Sequence, residues 1–257
     1  ELFSESSDIY RAIQKCVLNR SGYLYDEPHF LLQQEVSEVG SYFSIIKAIA
    51  AGNHKLSAIA AVLEVKSTNL TKYLKTLMDL DILERRVPVT EENPEKSKRG
   101  LYKIKDNYLR FWFAFIYPNM SFIESGHSGI VMDKIRRGLT TSHIGFVYED
   151  ICQERMWELN VNNAWPFQFS QLGGYWDAKN EIDIAALDPE GKNLILGECK
   201  YWKEPVGLNV LHALEAKAGD VAWERDRRKV WYVLFSISGF SDELRNHAAT
   251  RDDLLLI

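Results

Sequence analysis

Residues 180–202, NEIDIAALDPEGKNLILGECKYW, set the strongest constraint on how this chain can fold. Two apolar runs, 182–187 and 193–201, flank Asp188-Pro189-Glu190-Gly191-Lys192, whose proline presets φ and whose glycine admits a left-handed backbone. The pattern predicts a β-hairpin. Side chains alternate along a strand, so Glu181 and Asp183 share one face of the first strand, and Glu198 and Lys200 share one face of the second. Carboxylates on otherwise oily strands cost desolvation free energy unless compensated. A divalent cation bridged by Asp183 and Glu198, with Lys200 beside it, would supply that compensation. The plainer alternative is a solvated hairpin face on which Glu198 and Lys200 are ordinary surface charges. The elements around the hairpin bear on the choice.

At 257 residues, 46% hydrophobic and 26% charged, the chain has apolar content for one large core or two modest ones, and two domains are expected. No apolar run approaches the ~20 residues needed to cross a bilayer. Glu1-Leu2-Phe3-Ser4 lacks the basic flank and apolar core of a signal peptide, so a cytoplasmic location is expected. Cys16, Cys152 and Cys199 are far apart and set among apolar residues, which suits reduced core thiols better than disulfides or zinc. A net charge of −5 argues against a surface that grips nucleic acid everywhere, while leaving room for local basic patches. No G-x-x-x-x-G-K-[ST] loop occurs, so the chain alone is not expected to hydrolyse ATP.

Residues 1–40 carry a weak helical pattern, with Ile9, Ile13, Cys16 and Val17 in one stripe, a break at Ser21-Gly22 and a second helix expected over 31–39. Three stripes follow: Tyr42, Ile45, Ile46 and Ile49; Leu56, Ile59, Ala60 and Leu63; Leu70, Tyr73, Leu74 and Leu77. Three helices in ~40 residues are the layout of a helix-turn-helix, its third helix spanning roughly 67–80. Strands at 82–89 and 101–104, joined by the polar loop 90–100, complete a winged helix. Lys66, Lys72, Lys75, Arg85, Arg86, Lys96, Lys98, Arg99 and Lys103 are candidate phosphate contacts. A winged helix used only for protein contacts or oligomerisation is the alternative, because Asp79, Asp81, Glu91, Glu92 and Glu95 dilute the positive field.

The aromatic segment 106–119 predicts a buried connecting helix stopped by Pro118, and 128–139 a polar helix. Thr140-Thr141-Ser142 is expected to cap the next helix, with Ile144, Val147, Tyr148, Ile151 and Cys152 facing inward and Glu149 beside that stripe. A strand over 167–172, a Gly173-Gly174 turn and the hairpin follow. After them come a helix over 208–222, a strand over 229–236, a helix over 241–249 and a closing strand over 254–257, giving the order αβββαβαβ.

That order, with Glu149 in the first helix, Asp183 in the second strand and Glu198-x-Lys200 in the third, resembles the PD-(D/E)XK superfamily of restriction-endonuclease-like folds. Ile182 stands where the name would put proline. The whole chain is similar to the C-terminal half of archaeal-type AAA+ ATPases, a lid remnant, a winged helix and an appended nuclease-like domain. The residues behind this are Tyr73-Leu74-x-x-Leu77, Leu109-Arg110-Phe111-Trp112-Phe113, the 146–150 helix, Glu198-Cys199-Lys200 and Ser238-Gly239-Phe240. The resemblance implies an α/β plus winged-helix protein: a lid remnant at 1–40, a winged helix-turn-helix domain at 41–118, a connecting helix at 119–139 and a nuclease-like αβββαβ domain with a mixed sheet at 140–257.

If the site is active, Asp183, Glu198 and Glu149 would bind Mg²⁺ or Mn²⁺ through hard oxygen ligands, with the backbone carbonyl of Cys199 as one more. Lys200 would orient the attacking water or stabilise the pentavalent state. Glu181 reads as a solvated charge, while for Lys217 phosphate contact and a solvated helix face explain the residue equally well. Two functions therefore compete: a metal-dependent endodeoxyribonuclease that binds DNA weakly and largely without sequence preference, and a non-catalytic DNA- or protein-binding regulatory module with a vestigial nuclease fold. A third, an ATPase-coupled partner domain, needs a separate AAA+ chain.

Overall fold

The computed structural model describes residues 8–257. The expectation for Glu1–Ser4 and the first residues of the 1–40 segment lie outside them. The chain forms two compact units: the described part of Glu1–Arg86 with Gly100–His143, and Val87–Arg99 with Ile144–Ile257.

In the first unit, α1 (Ile9–Cys16) starts where the Asp8 carboxylate accepts the Tyr10 N–H at 2.9 Å. The next helix, α2 (Glu27–Glu35), begins and ends earlier than its sequence pattern suggests. Pro28 fixes the first-turn backbone, and Val36 is already extended. The three stripes become α3 (Val39–Ala50), α4 (Leu56–Val62) and α5 (Ser67–Asp79). Ile45, Ile46, Ile49, Ile59, Leu74 and Leu77 are buried among them, and Gly52 follows α3 at φ +93°, a conformation glycine adopts without Cβ strain. Strands β1 (Leu83–Arg86) and β2 (Leu101–Ile104) pair antiparallel, Leu83 opposite Ile104 and Arg86 opposite Leu101.

Pro118 does not stop the aromatic segment. After α6 (Asn107–Phe111), the backbone widens into an i→i+5 turn over Trp112–Ile116, tightens over Tyr117–Asn119 and continues as α7 (Met120–Glu124). A proline in a first turn has no N–H that the helix would use, so the chain passes it. Trp112 is fully buried, its indole N–H bonded to the Tyr25 carbonyl at 2.8 Å, and Phe43, Phe113 and Tyr117 pack their rings around it. The unit closes with α8 (Ser128–Leu139), as its pattern predicts.

The second unit is mixed α/β. Its sheet runs β3 (Gln171–Trp176), β4 (Glu181–Leu187), β5 (Asn193–Lys200), β6 (Lys229–Ser236) and β7 (Leu254–Leu256), side by side in chain order. β3–β4 and β4–β5 pair antiparallel; β5–β6 and β6–β7 pair parallel. Helix α9 (Gly145–Val161) covers one face, with Cys152 and Met156 packed on Ile184, Ile195, Cys199 and Val233. Helices α10 (Leu208–Ala218) and α11 (Asp242–Ala248) cover the other, with Leu211, Leu214 and Leu244 packed on Ala185, Leu196 and Leu234. Burial on both faces is why β5 reads as a nearly unbroken apolar run.

Several local expectations change. Gly173 and Gly174 lie inside β3 at a register shift rather than in a turn; a bulge uses glycine's backbone freedom as readily as a turn does. Residues 140–144 form a wide turn without a side-chain cap on α9. Ile151 is 53% exposed, because α9 buries Cys152, Met156 and Asn160, spaced four residues apart, instead. Helix α10 stops at Ala218, whose carbonyl accepts from the Arg228 guanidinium at 2.9 Å. The Val87–Arg99 segment, expected in the wing, groups with the second unit. Val89 donates its N–H to Gly174 on the edge strand β3 at 3.0 Å, and the Trp176 indole donates to the Arg99 carbonyl at 2.9 Å. No helix among the described residues is long and apolar enough to cross a membrane.

Candidate active site at the end of β4 and β5

The β4–β5 ladder runs from Leu187 opposite Leu194 to Ile184 opposite Gly197, and there the backbone pairing ends. Gly197 marks a close approach of three strands. A Cβ on it would sit 2.6 Å from Val233 Cγ1, 2.9 Å from the Val233 carbonyl oxygen and 3.2 Å from Ile184 Cβ. One residue further, the Asp183 carboxylate replaces the missing backbone acceptor: its Oδ2 takes the Cys199 N–H at 2.8 Å. The strand thus ends on a side chain rather than on another carbonyl.

Lys200 Nζ reaches the same Asp183 oxygen at 3.3 Å and also donates to Glu198 Oε2, so one ammonium joins both carboxylates. A second lysine arrives from α10. Lys217 Nζ donates to Glu198 Oε1 at 2.6 Å and to the Glu181 carbonyl at 2.7 Å. Gln153 of α9 donates to the Asp183 backbone carbonyl at 3.4 Å. Glu198 is only 6% exposed, and a buried carboxylate between two ammonium groups is the arrangement in which desolvation is offset by direct charge pairing.

The electrostatics divide the two acids. Burial and the nearby Glu198 raise the Asp183 carboxyl above its ordinary range, against the pull of Lys200 and the Cys199 N–H. Burial acts in the same direction on Glu198, but Lys200 and Lys217 outweigh it and hold that group below its ordinary range. For Lys200, burial favours the neutral amine, yet Asp183 and Glu198 outweigh it and keep the ammonium. Of the two carboxyls, Glu198 is the one held firmly ionised.

Asp183, Glu198 and Lys200 therefore meet at one point. Glu149 is half-buried on α9, and its charge acts on the Cys199 thiol, which packs on the α9 face of the sheet with Cys152. The Cys152 thiol and burial push the Cys199 thiol upward, so it stays protonated and offers no thiolate ligand. Among the described residues, no group of three or more His, Cys, Asp and Glu side chains is arranged to hold a metal ion. Lys217 is the cluster member that its sequence context left undecided. A lysine on the outer part of an amphipathic helix looks the same whether it meets water or a neighbouring strand. Gln153 gave no sequence signal.

The basic candidates separate. Lys66, Lys72 and Lys75 are exposed at the start and along the outer face of α5, together with Thr68, Asn69 and Thr71, and no acid occurs from Lys66 through Met78. Lys72 Nζ stands 4.5 Å from the Tyr73 ring centroid. Arg86 pairs with Glu84 at 2.5 Å, and Arg85 is half-buried. Lys98 is exposed but falls, with Arg99, in the second unit, where Arg99 pairs with Glu91 and donates to the Trp176 carbonyl at 3.3 Å.

Residues 112–217 match the DUF234 family model, described as archaea bacterial proteins of unknown function. The chain is 38% identical over 192 residues to the uncharacterized protein MJECL04 of Methanocaldococcus jannaschii, a match covering 75% of this chain and 42% of that protein. It thus spans less than half the length of that curated relative. Among solved structures, protein VC1899 from Vibrio cholerae aligns over 93% of this chain and 53% of its own, at 12% identity and a TM-score of 0.29, a likeness that carries no argument about this chain.

Proposed function

We propose that the second unit is a restriction-endonuclease-like domain that hydrolyses DNA phosphodiesters with Mg²⁺ or Mn²⁺, and that the first is a winged helix presenting α5 to the DNA backbone. The observation that carries this reading is the convergence of Asp183 and Glu198, from adjacent strands, on the single ammonium of Lys200. Two carboxylates aimed at one cation are a hard-oxygen donor set of the kind Mg²⁺ and Mn²⁺ take. A bound divalent ion would supply an acidified water and charge stabilisation at the phosphate.

The protein's own groups then have distinct parts. Asp183 and Glu198 would hold the ion, with the Cys199 carbonyl as a further oxygen donor, whereas Glu149, whose charge acts on the Cys199 thiol from α9, does not join them as a third acidic ligand. Lys217 keeps Glu198 ionised and in place from α10. Lys200, which here joins both carboxylates, would have its three donors available to the phosphate or the attacking water once an ion took its place between them. The three exposed lysines of α5, offset in part by Asp79 at its end and by Glu38, which accepts from the Tyr73 hydroxyl beside Lys72, support weak, salt-sensitive and largely sequence-independent binding to the DNA backbone.

One observation favours the regulatory-module alternative: both carboxylates are already satisfied by lysines, as in a site that has exchanged its metal for internal ion pairs. In that case the chain serves a longer assembly, such as one with a separate AAA+ ATPase. Incubating the purified chain with Mg²⁺ or Mn²⁺ and linear, supercoiled or single-stranded DNA separates the two. The nuclease reading expects wild type to cut, Asp183→Ala to lose Mn²⁺ binding and cleavage, and Lys200→Ala to bind Mn²⁺ while cutting about 10²-fold or more slowly. Equal cleavage by wild type and Asp183→Ala, or none by wild type with Mn²⁺ bound, selects the regulatory module.

A further inference from the structure

Beyond β5 the chain leaves the sheet, and the first side chains it presents are aromatic. Tyr201 is half-buried, packed edge-on to Tyr148 with ring centroids 5.5 Å apart. Trp202 is 47% exposed, and its ring centroid lies 5.8 Å from the Lys200 ammonium that joins Asp183 and Glu198. The backbone bearing this indole is fixed. The Trp202 carbonyl accepts from Ser238 Oγ at 2.6 Å, the Lys200 carbonyl from the Ile237 N–H at 3.4 Å, and Val206 bonds Gly239 and Ser241 at 2.9 Å each.

Shielding Lys200 does not account for this exposure. A separation of 5.8 Å is close to the ~6 Å limit at which an ammonium feels a ring, and about half of the indole is left in water. Ile237, 57% exposed, follows Ser236 on the same laced segment. A broad, rigid, exposed aromatic surface next to a phosphate-directed lysine is the arrangement by which proteins hold nucleic-acid strands whose bases are free. Bases within a continuous duplex stack on one another and offer no face to a protein side chain.

Resting on the proposed phosphodiester site, we infer that Trp202 is a stacking platform for a nucleobase next to the phosphate held at Asp183, Glu198 and Lys200. The substrate class is therefore a DNA strand with an unpaired base at the point of attack, a single strand or a frayed end, rather than an uninterrupted duplex.

Binding is measured in EDTA by fluorescence anisotropy, using labelled oligothymidylate, an abasic strand of equal length and a blunt duplex. Wild type is expected to favour oligothymidylate over the abasic strand by about 5- to 150-fold, the range one stacked base provides. Trp202→Ala, with its thermal melt confirming the fold, is expected to bind both strands alike, while Trp202→Phe keeps most of the preference. An unchanged preference in Trp202→Ala, a wild type without preference, or a Trp202→Ala variant that loses as much affinity for the duplex as for oligothymidylate would overturn the inference. Because no metal is present, base preference is scored apart from cleavage. Failure of Asp183-dependent cutting removes the nuclease reading without imitating the loss of stacking.

Discussion

Asparagine and alanine at position 183 separate what the Asp183 carboxylate does for the fold from what it does for a ligand. Its Oδ2 is the acceptor for the Cys199 N–H, on a residue only 8% exposed, at the point where the β4–β5 ladder has run out. Asparagine keeps an oxygen there. Alanine leaves a buried donor without an acceptor, a loss of about 1–3 kcal/mol. At about 2–4 °C per kcal/mol for a chain of this size, Asp183→Ala should melt about 2–12 °C below Asp183→Asn. Asparagine also removes a charge that burial and Glu198 disfavour, so Asp183→Asn is expected to melt at or above wild type. The assay is a thermal melt of the three proteins in EDTA near neutral pH, followed by the cleavage assay in Mn²⁺, where both variants should be inactive. Equal melting of the two variants would show that the Asp183–Cys199 bond contributes nothing, and an asparagine variant well below wild type would show that the charge itself stabilises the unit.

Burial and Arg110 lower the His143 pKa from 6.5 to about 4, so the unfolded chain takes up a proton that the native state refuses. Stability is then fully present above about pH 6.5 and falls as pH drops towards about 4, with a limiting slope of about 1.4 kcal/mol per pH unit that partial solvation reduces. Urea melts across this range should show the decline flattened in His143→Gln; an unchanged slope in that variant would be the contrary result. Gly197→Ala forces a methyl group against Val233 and should lower the unfolding free energy by about 1–3 kcal/mol, seen as a lower urea midpoint, whereas a wild-type midpoint would mean the strands part without cost. Replacing Lys66, Lys72 and Lys75 together by alanine should flatten the slope of log affinity for DNA against log salt by about three units if each meets a phosphate, and an unchanged slope would count against the proposed docking of α5.

The hairpin was legible because two apolar runs around a proline- and glycine-bearing loop leave few alternatives, and the residues of β4 and β5 fall where the alternation puts them. Asp183, Glu198 and Lys200 were legible as a group because strand alternation and a tight turn together fix which side chains can meet. What misled were residues with two physical uses. Gly-Gly marks a turn or a bulge, Pro118 ends a helix or begins a turn, and Ile151 sits beside a buried stripe without belonging to it. Lys217 stayed open because its partners, Glu198 and the Glu181 carbonyl, lie 19 and 36 residues away along the chain, beyond the reach of a local pattern.

The Val87–Arg99 segment makes the order of synthesis matter. The chain passes between its two units at Arg86/Val87, Arg99/Gly100 and His143/Ile144, so the second unit is assembled from two separate stretches. A ribosome delivers Val89 well before the Gly174 carbonyl that receives its N–H, and the unit cannot close until β3 has emerged. No single cut yields both units whole. A fragment starting at Ile144 would lack Val89 from its core and leave the edge strand β3 open to pairing with other chains, whereas adding residues 87–99 back as a peptide should restore both.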